Sequence, residues 1–257
     1  MSTFTQALWG YSIQYPEDWI HESHGDTEAF ATSPQALVKD LAGPQDGHIL
    51  IRGEFNYLGE QIDKLWTDYM VKLGLKMGAK DLGSAPLNLG GGEGYEAEIK
   101  LPKKENQRLW TGILSFGLTV LHLAVAHPLD QRKKIEPLAS STVASLRFTN
   151  QAPGLDMLPM GIPVPEEYSP IEPAALLSDI DGQPGWSAYR GKSSVGALQA
   201  CYLRVLPRLG WEIDEFLPFP NQTELGFARF KVKKDDQLLT IAILPADEQD
   251  SAIVFKS

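Results

Sequence analysis

A chain of 257 residues with 43% apolar and 22% charged residues has the composition of a soluble globular protein, not of a disordered or fibrous one. Its formal charge of -10 excludes nonspecific binding to nucleic acid, which needs clustered Lys and Arg to displace counterions from phosphate. Cys201 is the only cysteine, which excludes an intramolecular disulfide and a multi-thiolate metal site within one chain.

Tyr11, Ile13 and Tyr15 alternate with Ser12 and Gln14, the period of a strand with one buried and one wet face. Pro16 ends that ladder because it has no amide hydrogen, and Trp19 lies beyond it, where a large ring can close the end of a core. Glu28 to Ser33 and His48 to Phe55 read as two more strands, with Gly43-Pro44-Gln45-Asp46-Gly47 as turn chemistry between them. Ile62, Leu65, Trp66, Tyr69, Met70 and Leu73 then form one apolar stripe at helical spacing. Gly74 and Gly78 are expected to fray that helix, and Gly83 to Gly92 to form a loop.

Tyr95 to Leu101, Leu109 to Phe116 and Thr119 to Ala126 read as an antiparallel meander, joined by Lys103-Lys104-Glu105-Asn106 and by Gly117. A helical segment follows, with Ile135, Leu138, Thr142, Val143 and Leu146 on one side, and Pro137 is expected to divide it. Between Arg147 and Arg190 there is no Lys or Arg and there are seven prolines, so residues 151–184 read as a semi-rigid acidic connector between domains at 1–150 and 185–257. Leu155, Met157, Leu158, Met160, Ile162 and Val164 are too apolar for a freely solvated linker, and Ile171 to Ile180 reads as a short strand or a turn of helix. Beyond it, Trp186 to Arg190 reads as a strand, Ser193 or Ser194 as an N-cap, and Val195 to Leu209 as a helix closed by Gly210. A strand from Trp211, then Leu225 to Val232, Leu238 to Leu244 and Ala252 to Phe255, complete a β-α-β-β-β-β order, with Lys233-Lys234-Asp235-Asp236 as a hairpin turn. The fold class is α+β.

The stretch Tyr11-Ser12-Ile13-Gln14-Tyr15-Pro16-Glu17-Asp18-Trp19, with Val143-Ala144-Ser145-Leu146-Arg147-Phe148 at the far end, resembles the PsbP-like family. That fold is shared by the photosystem II extrinsic subunit, a Ran-binding import factor and the envelope protein DcrB. The resemblance covers the first 150 residues or so and implies an α/β/α sandwich with an antiparallel sheet. It also implies a role in docking and stabilising other proteins, sometimes with ions, and it assigns no binding residue. The second half looks like a small module of uncharacterised bacterial proteins, carried by Tyr202, Leu206-Pro207, Leu209-Gly210-Trp211, Phe230-Lys231 and Leu239-Thr240-Ile241.

Candidate chemistry is sparse. His21 and His24, with Glu22 and Asp26 and with His48 from a neighbouring strand, are the nearest approach to a metal cluster, although a solvated loop is the simpler reading. His122 and His127 invite a triad with Ser115 or Asp130, yet no G-x-S-x-G elbow occurs, and alternation puts His122 on the more polar face of its strand. Gly90 to Gly94 precedes a strand and carries acidic neighbours, which suits a hairpin better than a phosphate cradle. Cys201 reads as a core thiol, with Arg204 one helical turn on as the cationic neighbour that reactivity would need. Among six tryptophans, Trp66 and Trp211 read as core, and Trp9 and Trp110 are free to contribute to a binding surface.

These observations lead to a noncatalytic bacterial accessory protein that docks on another protein, with no cofactor. A small-molecule or ion-binding protein using the groove between domains is the alternative, and a hydrolase the second. No stretch approaches the length of a membrane span, and Met1 to Trp9 lacks the pattern of a leader. The chain is therefore expected to be soluble, cytoplasmic if complete and in the cell envelope if a leader was removed.

Overall fold

The computed structural model describes residues 1–38, 46–102, 106–176, 184–220, 226–247 and 250–257. The turn residues Gly43 to Gln45 and Lys103 to Glu105, the run 177–180 and Leu225 lie outside the described residues. The chain divides into two compact units, one of Met1–Gln6 with Tyr11–Thr149 and one of Ala7–Gly10 with Asn150–Ser257.

The first unit contains β1 (Ser2–Gln6), β2 (Tyr11–Tyr15), β3 (Ile20–His24), β4 (Thr27–Ala31), α1 (Pro34–Val38), β5 (His48–Phe55), α2 (Ile62–Met77), β6 (Lys80–Leu89), β7 (Gly92–Lys100), β8 (Gln107–Phe116), β9 (Thr119–Pro128), α3 (Arg132–Ala144) and β10 (Arg147–Phe148). Seven strands form an antiparallel sheet in the order β3-β4-β5-β9-β8-β7-β6, and β1, β2 and β10 form a separate three-stranded sheet. The stripe of α2 packs on one face of the large sheet, against Ala97, Ile113, Val120 and Ala126. Side chains one position along each strand point the other way. There Phe30, Ile49, Ile51, Leu114, Leu121 and Leu123 are fully buried, with Phe30 meeting the rings of Phe4 and Tyr15. The second helix, α3, lies on that same side, touching β2 and β9. An antiparallel sheet between helices is the α+β sandwich expected of the first half.

Five elements differ from the sequence expectation. The stretch read as a loop before the glycines is β6, the edge strand of the large sheet. Gly90 and Gly91 form the two-residue turn into β7, with φ of 61° and 94°, a backbone that glycine adopts without strain. An edge strand with most side chains in water has no apolar alternation to betray it. β1 and β3 escaped for the same reason, since each buries few side chains. Gly74 does not end α2, which runs on to Met77, where Gly78 takes the left-handed cap and donates its N–H to the Gly74 carbonyl at 2.9 Å. Pro137 sits inside a continuous α3 on its exposed side, where the carbonyl left unpaired one turn back can bond water.

The second unit contains β11 (Leu155–Met157), β12 (Pro163–Pro165), β13 (Ser169–Ile171), β14 (Trp186–Lys192), α4 (Val195–Val205), β15 (Glu212–Leu217), β16 (Ala228–Lys234), β17 (Gln237–Pro245) and β18 (Asp250–Lys256). Its antiparallel sheet runs β13-β14-β18-β17-β16-β15. Ser194 caps α4 by accepting the Ala197 N–H at 3.0 Å, and Leu198, Tyr202 and Leu206 pack on Phe230, Ile241 and Phe255 of the sheet. The apolar residues of the acidic segment join this core: Ile162, Val164 and Tyr168 are buried in it. So does the turn Ala7–Gly10. Leu8 packs against the same cluster, Trp9 is buried, and the Arg204 guanidinium donates to the Ala7 carbonyl. The expectation that Trp9 contributes to a binding surface is thereby overturned, because its ring is only 2% exposed.

Cys201 is fully enclosed in α4, and burial pushes its thiol up to about 11, with Arg204 pulling weakly the other way. At pH 8 such a thiol holds roughly 100-fold less thiolate than a free one. Alkylation of the native chain is therefore expected to be at least that much slower than alkylation in denaturant, as mass spectrometry of a time course would read. Comparable rates would show that α4 opens readily.

Candidate functional site

The structure separates the three histidines weighed as metal ligands. His21 stands on the face that carries Phe30, stacked on its ring at 4.8 Å, while a spacing of three along a strand turns His24 to the opposite face. His48 opposes Ala31 and His24 opposes Thr27, so those two are four residues apart along β4, about 13 Å. Among the described residues no group of three His, Cys, Asp or Glu side chains converges on a common point. What His21 does meet is Glu28, which the sequence reading treated only as the start of a strand. Glu28 is 1% exposed and accepts hydrogen bonds from Gln6 Nε2 at 3.1 Å and Ser23 Oγ at 2.5 Å, with His21 Nε2 at 2.8 Å. The β3-β4 register opposes Ser23 to Glu28 and places His21 on the same face, so this cluster is a product of strand pairing. Its negative field and burial together push the Tyr11 phenol well above its ordinary range, burial being the larger cause.

The two sheet histidines also find other partners than those considered. His122 Nε2 lies 2.9 Å from Glu54 Oε2, across the β5-β9 pairing, and its ring sits 5.0 Å from that of Tyr69 on α2. The bond to His122 is the main reason that the Glu54 carboxyl lies below the usual carboxylate range. Tyr69 in turn meets Thr111 at 2.7 Å. With Arg52 and Lys72, the side chains of Glu54, Tyr69 and His122 line a cavity of about 210 Å³ between α2 and the sheet. Ser115 Oγ points instead at the Gly117 carbonyl, 3.4 Å away. His127 is 2% exposed, and its Nδ1 lies 3.0 Å from the carbonyl oxygen of Pro128.

A second cavity, of about 290 Å³, opens beside α3 on the opposite face of the sheet. Leu87 and Leu89 of β6, Trp110 of β8 and Val125 of β9 form its floor, and Ala139 and Val143 of α3 its wall. Among the described residues Glu96, Arg108, His127 and Glu136 also line it, and Arg108 and Glu136 belong to a network with Glu98 and Arg132. Arg108 donates to Glu98 at 2.8 Å and also to Glu136, which Arg132 holds at 2.5 Å from the preceding turn of α3. The Arg132 bond is the chief reason that the Glu136 carboxyl is held below the usual carboxylate range. Glu96 stands outside that network and accepts the Trp110 indole N–H at 2.8 Å. Strand alternation explains the assembly: Glu96, Glu98, Arg108 and Trp110 share one face of β7 and β8, and the register sets Glu98 opposite Trp110. The sequence marked Trp110 as unconstrained but could not show that β6 and α3 would wall it in.

No family model matches the chain, and no curated protein matches it in sequence. Solved structures do. The cyanobacterial PsbP of Synechocystis (CyanoP) is 12% identical, with 57% of this chain and 91% of that one covered at a TM-score of 0.43. LpqN of Mycobacterium tuberculosis, described as involved in cell envelope biogenesis, is 16% identical, with 54% and 83% covered at a TM-score of 0.41. A Bacteroides thetaiotaomicron protein is 9% identical, with 95% and 87% covered at a TM-score of 0.36. Likeness at these identities is a matter of fold alone and carries no residue role, ligand or partner. The chain's own antiparallel sheet between helices is the architecture that the resemblance of the stretch from Tyr11 to Trp19 implies.

Proposed function

We propose that this is a noncatalytic accessory protein that docks on another protein, and that the cavity beside α3 receives a side chain of that partner. The observation that supports this reading is the make-up of the cavity: an apolar floor and wall with a half-buried indole, opening to solvent, and rimmed by charges that are mostly locked in pairs. Such pairing holds the rim in one shape, as a preformed binding site requires.

Ser140 lies exposed on the lip of the cavity, so a photocrosslinking amino acid there tests the reading directly. The same group at exposed Leu238 in β17 serves as the control. In extract of the native host, one protein should be crosslinked from position 140 and not from 238, and Ala144→Trp, which crowds the opening, should abolish it. Equal crosslinking from both positions, or none from either, would overturn the proposal.

A further inference from the structure

We infer that the cavity beside α3 selects an organic cation: the ammonium or guanidinium of a lysine or arginine side chain, with its apolar stem against Leu87, Leu89 and Val143. The inference rests on the docking reading above and adds the chemistry of the occupant. Two observations carry it. The first is the pairing of Glu96 with Trp110 beside the apolar floor of the pocket. The indole N–H donates to Glu96 Oε2 at 2.8 Å, and among the described residues no cation pairs with that carboxylate. An aromatic face beside a half-buried carboxylate attracts a cation twice over, through the ring quadrupole and through the charge. The second is the state of Arg108, the guanidinium that lines the cavity together with His127 and could favour an anion. It is 19% exposed and already engaged by two carboxylates, Glu98 and Glu136. Of the charged groups that line the cavity, the carboxylates of Glu96 and Glu136 face the guanidinium of Arg108, with His127 beside them and with Glu98 and Arg132 paired behind the lining, so a cationic head is favoured over an anionic one. The apolar floor then favours a cation on a hydrocarbon stem over a bare ion, since lysine and arginine bury their stems while their heads stay polar.

The test uses three small probes of similar length on the full chain: n-butylammonium, 1-pentanol and pentanoate. Each is titrated by nuclear magnetic resonance while the indole N–H of Trp110, identified by its loss in Trp110→Phe, is followed. Butylammonium should move that resonance saturably and bind about tenfold tighter than pentanol, with pentanoate weaker still. Glu96→Gln keeps an acceptor for the indole, and it should lower the butylammonium affinity about tenfold while leaving pentanol unchanged. Pentanol or pentanoate binding as tightly as the cation would overturn the cation inference and leave the cavity as a docking pocket, as would an affinity for butylammonium that Glu96→Gln does not change. If no probe moved Trp110, the docking reading of this cavity would fall with it.

Discussion

Gly94→Ala is expected to cost the first unit at least about 3 kcal/mol, a large fraction of the stability that an ordinary domain has. A methyl group at this position would stand 1.8 Å from the carbonyl oxygen of Ile113 and 2.8 Å from its carbon. Both atoms belong to the backbone of β8, which pairs with β7 so that Gly94 faces Leu114. A side chain in the way could rotate aside, but a ladder carbonyl cannot move without separating the strands, so the usual cost of overpacking is a lower bound. Gly117→Ala is the control: its φ of 60° imposes some strain, yet nothing lies within 4 Å of the added carbon. That substitution should cost about 1 kcal/mol. Urea denaturation followed by tryptophan fluorescence measures both, and equal costs would show that the β7-β8 register is wrong.

Phe230→Ala should remove about 3–5 kcal/mol from the second unit, the range for an aromatic residue deleted from a closed core. Phe230 is fully buried in β16, with the ring of Phe216 at 4.5 Å and that of Tyr202 at 6.0 Å edge-on. Tyr202 is itself fixed, since its hydroxyl donates to the Pro163 carbonyl at 2.9 Å, so the helix cannot slide in to fill the void. The pair of variants also tests whether the two units are separate folding domains, as we propose. In calorimetry, independent units would give two transitions, one lowered by Gly94→Ala and the other by Phe230→Ala. A single transition lowered by both would make the chain one cooperative block.

Periodicity made the interior legible and little else. The strands His48–Phe55, Gln107–Phe116 and Thr119–Pro128, and the helices α2 and α4, were readable because each buries a regular stripe. The edge strand β6 and the hairpin strands β1 and β3 were not, because a strand that faces water on most sides carries no pattern. The candidate site lies where that signal is weakest. Two of its floor residues, Leu87 and Leu89, come from the very stretch that reads as a loop. Its charged rim joins Arg108 to Glu98 across a β ladder and to Glu136 on a helix 28 residues away, pairings that composition does not encode.

By itself the amino-acid sequence determined the α+β class, the main helices and strands, the absence of an intramolecular disulfide and the acidic balance of the chain. All of these follow from local periodicity, from counting cysteines or from net charge, none of which depends on which elements become neighbours. Only the tertiary structure decided which polar groups meet. It turned His21 away from His24 and towards Glu28, gave His122 to Glu54, placed Trp110 beside Glu96, packed Leu8 against the core of the second unit and buried Trp9. The reason is geometric: a strand shows alternate residues to opposite faces, and register and sheet order then choose each side chain's partner.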